Sequence, residues 1–393
     1  MNFNKLVAGL LLSCVIIGCS DDESPSSGNV YTLTVPEGYD EHSQFMAFIS
    51  DQNGGILDKG SCDVGESLNL YAPSDYQGAV NFHYVHRREV TDFVQYSINT
   101  SPEVAAGFEM KLNEGTPVEW PLSHWVEVHD IPAEYKSMRH VGPTVMQKNS
   151  YVLTDPLGGK QLFYSSYSTG PITYVLTYPG GKFPRYLHFS EPEPDFTVDV
   201  DFSEFITVEP SNLNVGQSVD EIFVGISGLY PNGVTSSLGG ITEEDTDNID
   251  LYYYPEDVIP DFRTTLTIDK GIFHYEYIKY GGQVTEMRWL DADLISLETT
   301  DNKVSFSASG TYTSIAMSSS ESWSVGTVDY ALTWRINAGP RSTLTMALPD
   351  IAPLLQNQWP DLSQTPVVFD YLSATKYSVT NNLGEILSIG KQF

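Results

Sequence analysis

The chain is short of cysteine, of positive charge and of long apolar runs. Cys occurs three times in 393 residues, and 20 Lys and Arg stand against 51 Asp and Glu, for a formal net charge of −31. The charge deficit excludes a nucleic-acid binder, because a phosphate backbone would meet a repelling field and too few cations to neutralise it. It also disfavours electrostatic docking on anionic lipid. The catalytic signatures Gly-x-Ser-x-Gly and His-Glu-x-x-His are absent, as is the phosphate loop Gly-x-x-x-x-Gly-Lys-Ser/Thr. Gly158-Gly159-Lys160 and Gly180-Gly181-Lys182 lack the loop length and the hydroxyl that follows it, so both read as turns. What is present is 41% hydrophobic and 12% aromatic, enough for a packed core and against wholesale disorder. The length suggests two or three domains.

The amino terminus has a recognisable pattern. Lys5 precedes an apolar run from Leu6 to Ile17, too short to span a bilayer and of the length of a secretory h-region. The run ends at Gly18-Cys19, and the chain turns polar through Ser20-Asp21-Asp22-Glu23 and the Pro, Ser and Gly residues up to Gly28. Ile16-Ile17-Gly18-Cys19 resembles the lipobox of bacterial lipoprotein precursors, with Ile in place of the commoner Leu and an Ile where a small residue is usual. Leu11-Leu12-Ser13-Cys14 is a competing match, but cutting there would leave Val15-Ile16-Ile17 at the new end. The resemblance implies a signal peptide over 1–18, a lipidated Cys19, a flexible linker over 19–28, and an acyl anchor in the outer membrane. Ser20-Asp21-Asp22-Glu23 is similar to the acidic tract that sends lipoproteins of Bacteroidetes-type bacteria to the cell surface. With Cys14 removed and Cys19 acylated, Cys62 is the one thiol left and no intramolecular disulfide can form. Asp63 beside Cys62 raises a thiol pKa, the wrong direction for a nucleophile.

The body reads as all-β. Period-2 alternation recurs in Phe196–Ser203, Tyr330–Ile336 and Leu68–Tyr71, and 31 Gly and 23 Pro punctuate the chain with turn signals such as Gln52-Asn53-Gly54-Gly55. This predicts tandem antiparallel β-sandwich modules followed by a larger sandwich or barrel. We place a first module at 29–115, whose strand pattern resembles immunoglobulin or fibronectin-type sandwiches, a second at 116–208 and a C-terminal β domain at 209–393. Tyr151–Pro156 echoes Tyr174–Pro179, which predicts sister strands of one sheet. One short helix is predicted from Pro349 to Pro360, with Asp350 as its N-cap.

Candidate sites are few. His83/His86 and His124/His129 lie at odd separations, so on a strand neither pair can chelate one ion. Asp245, Asp247 and Asp250, within Glu243–Asp250, are candidate Ca²⁺ ligands. They lack the Gly and terminal Glu of an EF-hand loop, so a solvated loop is the preferred reading. Asp199 and Asp201 alternate outward and would keep a sheet edge soluble. Asp291 and Asp293 beside Trp289 have the chemistry of a glycosidase carboxylate pair. Phe273, Tyr275 and Tyr277 read as the buried face of a strand. Tyr252-Tyr253-Tyr254 must put rings on both faces of a strand, so at least one ring is exposed or covered by another element; this makes the run the better recognition candidate.

These readings lead to a lipid-anchored outer-membrane binding or assembly module whose ligand is a glycan or an envelope protein. The alternatives are a surface polysaccharide hydrolase and a structural partner of an outer-membrane barrel. Replacing Cys19 with Ala is expected to abolish incorporation of labelled palmitate and to release the chain from membranes, whereas Cys14→Ala leaves both unchanged. Label retained in the Cys19 variant would contradict this reading.

Overall fold

A computed structural model describes residues 29–39, 42–112, 122–132, 134–135, 137–141, 153–154, 161–167, 171–177, 181–190, 197–230, 235–300, 302–356, 359, 368–380 and 383–393. Cys19 and the whole of 1–28 lie outside them, as do the boundary at 115 and most of the 151–156 echo.

The chain begins with β1 (Val30–Thr34), β2 (Ser43–Ser50), β3 (Ile56–Cys62), β4 (Ser67–Tyr71), β5 (Val80–Val90), β6 (Phe93–Val104) and β7 (Glu109–Lys111). It continues with β8 (Leu122–His129), β9 (Ser137–Val141), β10 (Leu153–Thr154), β11 (Gln161–Tyr167), β12 (Ile172–Thr177), β13 (Arg185–Phe189), β14 (Thr197–Asp201) and β15 (Ile206–Thr207). Then come β16 (Pro210–Leu229), β17 (Thr235–Tyr252), β18 (Phe262–Lys270), β19 (Phe273–Tyr280), β20 (Ala292–Thr300), β21 (Lys303–Gly310) and β22 (Ser314–Val325). The chain ends with β23 (Val328–Ala338), β24 (Thr343–Ala347), α1 (Ala352–Gln356), β25 (Tyr371–Thr380) and β26 (Leu383–Gln392). The fold is nearly all β, as predicted, and among the described residues no helix is long and apolar enough to cross a membrane.

One sheet of twelve strands runs in the order β17-β16-β18-β19-β26-β25-β22-β23-β6-β5-β2-β3. It is open, with β17 and β3 at its edges, so the barrel alternative is not adopted. Smaller sheets, β4-β1-β7, β15-β13-β12-β9, β10-β11-β8-β14 and β20-β21-β24, complete the sandwich layers. β10 and β12 fall in different sheets, which corrects the expectation that the echoed segments are sister strands. The reason is that β12 is buried at all six positions and needs cover on both faces, whereas β10 is a two-residue edge strand on β11.

β23 shows how alternation becomes architecture. Tyr330, Leu332, Trp334 and Ile336 are buried in one core, while Ala331 and Thr333 between them are part-covered and Asp329 and Arg335 are exposed. That core lies between the middle of the large sheet and the layer β20-β21-β24, with Leu354 and Leu355 of α1 and Trp359 closing it. Asp350 Oδ1 accepts from the Ala352 N–H at 3.3 Å, the expected N-cap contact. The strand expected over 196–203 stops earlier, at Asp201. Glu204 Oε1 there accepts from the Asp201 N–H at 2.9 Å and turns the chain into a short 3₁₀ segment.

From Phe45 to Ser50, β2 has no wet face. Met46 and Phe48 enter the core just described, and Phe45, Ala47 and Ile49 enter a second core beneath β1 and β4. The strands of the first segment are therefore continuous with those of the last, through the parallel pairing of Phe93–Thr100 with Asp329–Ile336. A buried polar chain ties the same four strands together. Trp334 Nε1–H donates to Thr100 Oγ1 at 2.9 Å, His83 Nδ1 lies 2.7 Å from Thr100 Oγ1, and His83 Nε2 lies 2.9 Å from Ser50 Oγ. Trp can only donate, so Thr100 accepts from it and has its own hydroxyl hydrogen for His83 Nδ1. His83 stacks on Phe48 with ring centroids 4.4 Å apart.

Burial without a charged partner lowers the His83 pKa to about 3 from an ordinary 6.5, so the ring is neutral in the folded chain. Below pH 6.5 the unfolded chain takes up a proton that the folded chain refuses, so stability falls as the pH drops towards 3. Between pH 6.5 and 4 the stability of a His83→Gln variant should fall less than that of the parent, by roughly 3 kcal/mol. Urea denaturation across that range measures the difference; parallel curves would show that His83 is not buried neutral.

Candidate functional site

At one end of the large sheet, the β18–β19 turn and the ends of β25 and β26 enclose an open basin of about 490 Å³. Asp269, Gly271, Ile272, Phe273, His274, Tyr371 and Gln392 line it. Register brings these residues together across four strands: Asp269 lies opposite His274, Phe273 opposite Lys391, and Tyr371 opposite Gln392. The turn is tied down from the neighbouring strand. The Gly271 N–H donates to Asp220 Oδ2, and Lys270 Nζ donates to Gln217 Oε1, both at 2.6 Å. The Gln392 N–H donates to the Ile272 carbonyl at 3.3 Å, which fixes the chain end against the turn.

His274 Nδ1 contacts Asp269 Oδ1 at 2.6 Å, and both side chains are about half exposed at the mouth. Lys391 points to the other face of the sheet together with Phe273, its Nζ 5.7 Å from the Phe273 centroid and 4.2 Å from that of Phe393. Its ammonium also donates to the Leu294 carbonyl at 3.1 Å. Tyr371 lies across Gly390: a Cβ there would stand 1.7 Å from the Tyr371 hydroxyl and 2.4 Å from its Cζ. Burial raises the Tyr371 pKa, and of the charges that reach it Arg335 lowers it while Glu276 and Asp269 raise it further. Phe273 and Tyr275 are only partly buried, whereas Tyr277 is fully covered, with its phenol donating to Glu385 Oε1 at 2.8 Å. The reading of this trio as a strand's inner face holds: Tyr277 is buried in a core, Phe273 and Tyr275 pack against core residues, and Phe273 also borders the basin at the strand's start. Polar and aromatic groups converging on one concavity make a place to hold a small part of a ligand.

The sequence candidates lie elsewhere. Tyr252, Tyr253 and Tyr254 are all buried, at 5, 9 and 3% exposure, and so form no exposed platform. Tyr253 packs edge-on to Phe262, its hydroxyl lies 3.1 Å from Thr264 Oγ1, and it accepts from the Val284 N–H at 2.9 Å. Tyr254 meets Tyr186 edge-on, and with Tyr252 it lines an apolar pocket of about 20 Å³, the size of about one water. The rings join β13 to β17, where Gly181 (φ +78°) approaches so closely that a Cβ would lie 2.2 Å from the Gly240 carbonyl oxygen. Covering elements on both sides of the run, and not solvent, take its rings.

Asp245, Asp247 and Asp250 stand exposed on the edge strand β17, so the expected loop is a strand, irregular at Asp245 (φ +49°). Asn212 Nδ2 donates to Asp250 Oδ1 at 3.2 Å, and Asn248 Nδ2 donates to Asp247. Among the described residues no three His, Cys, Asp or Glu side chains converge as a metal site would require. Asp291 and Asp293 are exposed near the start of β20, where Ser309 Oγ donates to Asp293 Oδ2 at 3.5 Å; neither lines the basin. His83 and His86 point to opposite faces of β5, the former stacked on Phe48 and the latter on Phe45. His129 pairs with Asp199 on β14, an edge strand, where Asp199 and Asp201 are both exposed; the His124 side chain lies outside the described residues. Cys62 is buried, and burial first, then Glu66 and Asp63, raises its thiol pKa.

The basin residues carry no local motif, since they come together from positions about 100 residues apart. The one local signal is the turn Lys270-Gly271-Ile272, which exposes a large apolar side chain at its tip. No family model matches the chain, and no curated protein is significantly similar to it.

Gly390→Ala forces Tyr371 off the sheet and should cost about 1–3 kcal/mol of stability by overpacking. In a Tyr371→Ala background most of that cost should vanish, giving a strongly non-additive cycle in urea denaturation. Additive costs would show that Tyr371 does not lie over Gly390.

Proposed function

We propose that the chain is a lipid-anchored binding or assembly module of the outer membrane, with a glycan or another envelope protein as its ligand. The observation that carries this reading is Ile16-Ile17-Gly18-Cys19 followed at once by the polar Ser20–Gly28 tract. Two or three acyl chains on Cys19 hold a protein at a bilayer where a single chain would be marginal. Support for binding over a purely structural role comes from the basin, where aromatic side chains and hydrogen-bonding groups share one opening. The strong net negative charge suits neutral ligands, or partners with a basic face, better than acidic polymers.

Cells making the full chain are expected to carry it in the outer-membrane band of a density gradient. They should retain fluorescent neutral glycan, or cross-link the chain to an outer-membrane protein, without releasing glycan fragments. Cells carrying Cys19→Ala should lose the band and the retention together. Fragment release would favour the hydrolase alternative and move attention to Asp291 and Asp293.

A further inference from the structure

Resting on the binding-module reading, we propose that the basin at the β18–β19 turn is the ligand subsite and that it holds a neutral, hydroxyl-rich ring, the chemistry of one hexose of an uncharged glycan. The volume of about 490 Å³ lies within the range of small-ligand sites. Tyr371, lying across the side-chain-free Gly390 on the same sheet face as His274, supplies apolar surface of the kind that C–H-bearing faces of a sugar ring cover.

Donors and acceptors are mixed on the rim. The Asp269 carboxylate has lone pairs beyond the one His274 Nδ1 uses, His274 keeps Nε2, and the Gln392 amide carries both a donor and an acceptor. A hydroxyl is donor and acceptor at once, so a polyol ring can match such a rim in several registers. An anionic ligand would face Asp269 with Glu276 close by, on a chain of net charge −31. A cationic one would meet the Arg335 guanidinium, close enough to influence Tyr371. A neutral ring avoids both conflicts.

The test uses the full lipidated chain, purified in a polyoxyethylene detergent because alkyl glycosides would compete. Its migration is followed in native gels containing dextran, β-1,3-glucan, galactomannan or arabinoxylan, and in gels containing polygalacturonate. Retardation by at least one neutral polysaccharide is expected, weakened about tenfold or more by Asp269→Ala and by His274→Ala, in line with loss of a hydrogen bond inside a site. Tyr377→Ala, on β25 outside the basin, serves as the control and should bind as the parent does. Urea transitions confirm that each variant is folded. Retardation that survives both basin variants overturns the subsite and leaves the module reading standing. Retardation by polygalacturonate alone overturns the neutral-ring assignment. No retardation in any gel, with a cross-linked outer-membrane protein in cells, overturns the sugar assignment but keeps the module; neither signal overturns both.

Discussion

Two of the described stretches of strand, Phe45–Ser50 and Ile172–Thr177, have no face left for water, and the architecture follows from covering them. A strand in an ordinary sandwich buries one side and wets the other. Ser43–Ser50 sends Met46 and Phe48 into one core and Phe45, Ala47 and Ile49 into another. Ile172–Thr177 likewise sends Val175 one way and Ile172, Tyr174 and Leu176 the other. Tyr275 and Leu387 touch both of the two central cores. Four cores are thereby joined in series, and strands from both ends of the chain share one twelve-stranded sheet. Apolar side chains facing two ways demand two layers of cover, and distant segments supply them.

The polar chain from Trp334 through Thr100 and His83 to Ser50 adds specificity to that burial. Each group would be costly to leave unpaired in a dry interior, and the observed pairing of Phe93–Thr100 beside Asp329–Ile336 satisfies them together. The basin gains rigidity from a comparable arrangement near the central seam. Tyr277 and Arg288 both bond Glu385, fixing β19 to β26, while Asp220 and Gln217 hold the turn above. At the sheet edges the abundant carboxylates do a different job: exposed Asp and Glu on β17, and Asp199 and Asp201 on β14, hinder another chain from adding a strand.

Much of the fold was legible because alternation is a local property. Tyr330–Ile336 announces its dry and wet faces within seven residues. Asp350 and the residues after it reveal a short helix for equally local reasons. The candidate site was not legible. Asp269 and His274 are neighbours only once a hairpin forms, and Tyr371 and Gln392 join them through register set about 100 residues later. The Tyr252–Tyr254 run misled for the same reason, because its covering partners, Tyr186, Phe262 and Val284, lie in other segments. Asp245–Asp250 looks like a loop on composition, yet pairing with β16 holds most of it extended.

Native-state hydrogen exchange tests the joining of the cores most directly. If β2 is shared between two cores, the slowest amides of β2, β5 and β6 should open with the same free energy, and the same denaturant dependence, as those of β22, β23 and β25. A separate, lower-energy opening of residues 30–112, with β23 still protected, would contradict it and show that the first segment folds as a unit of its own.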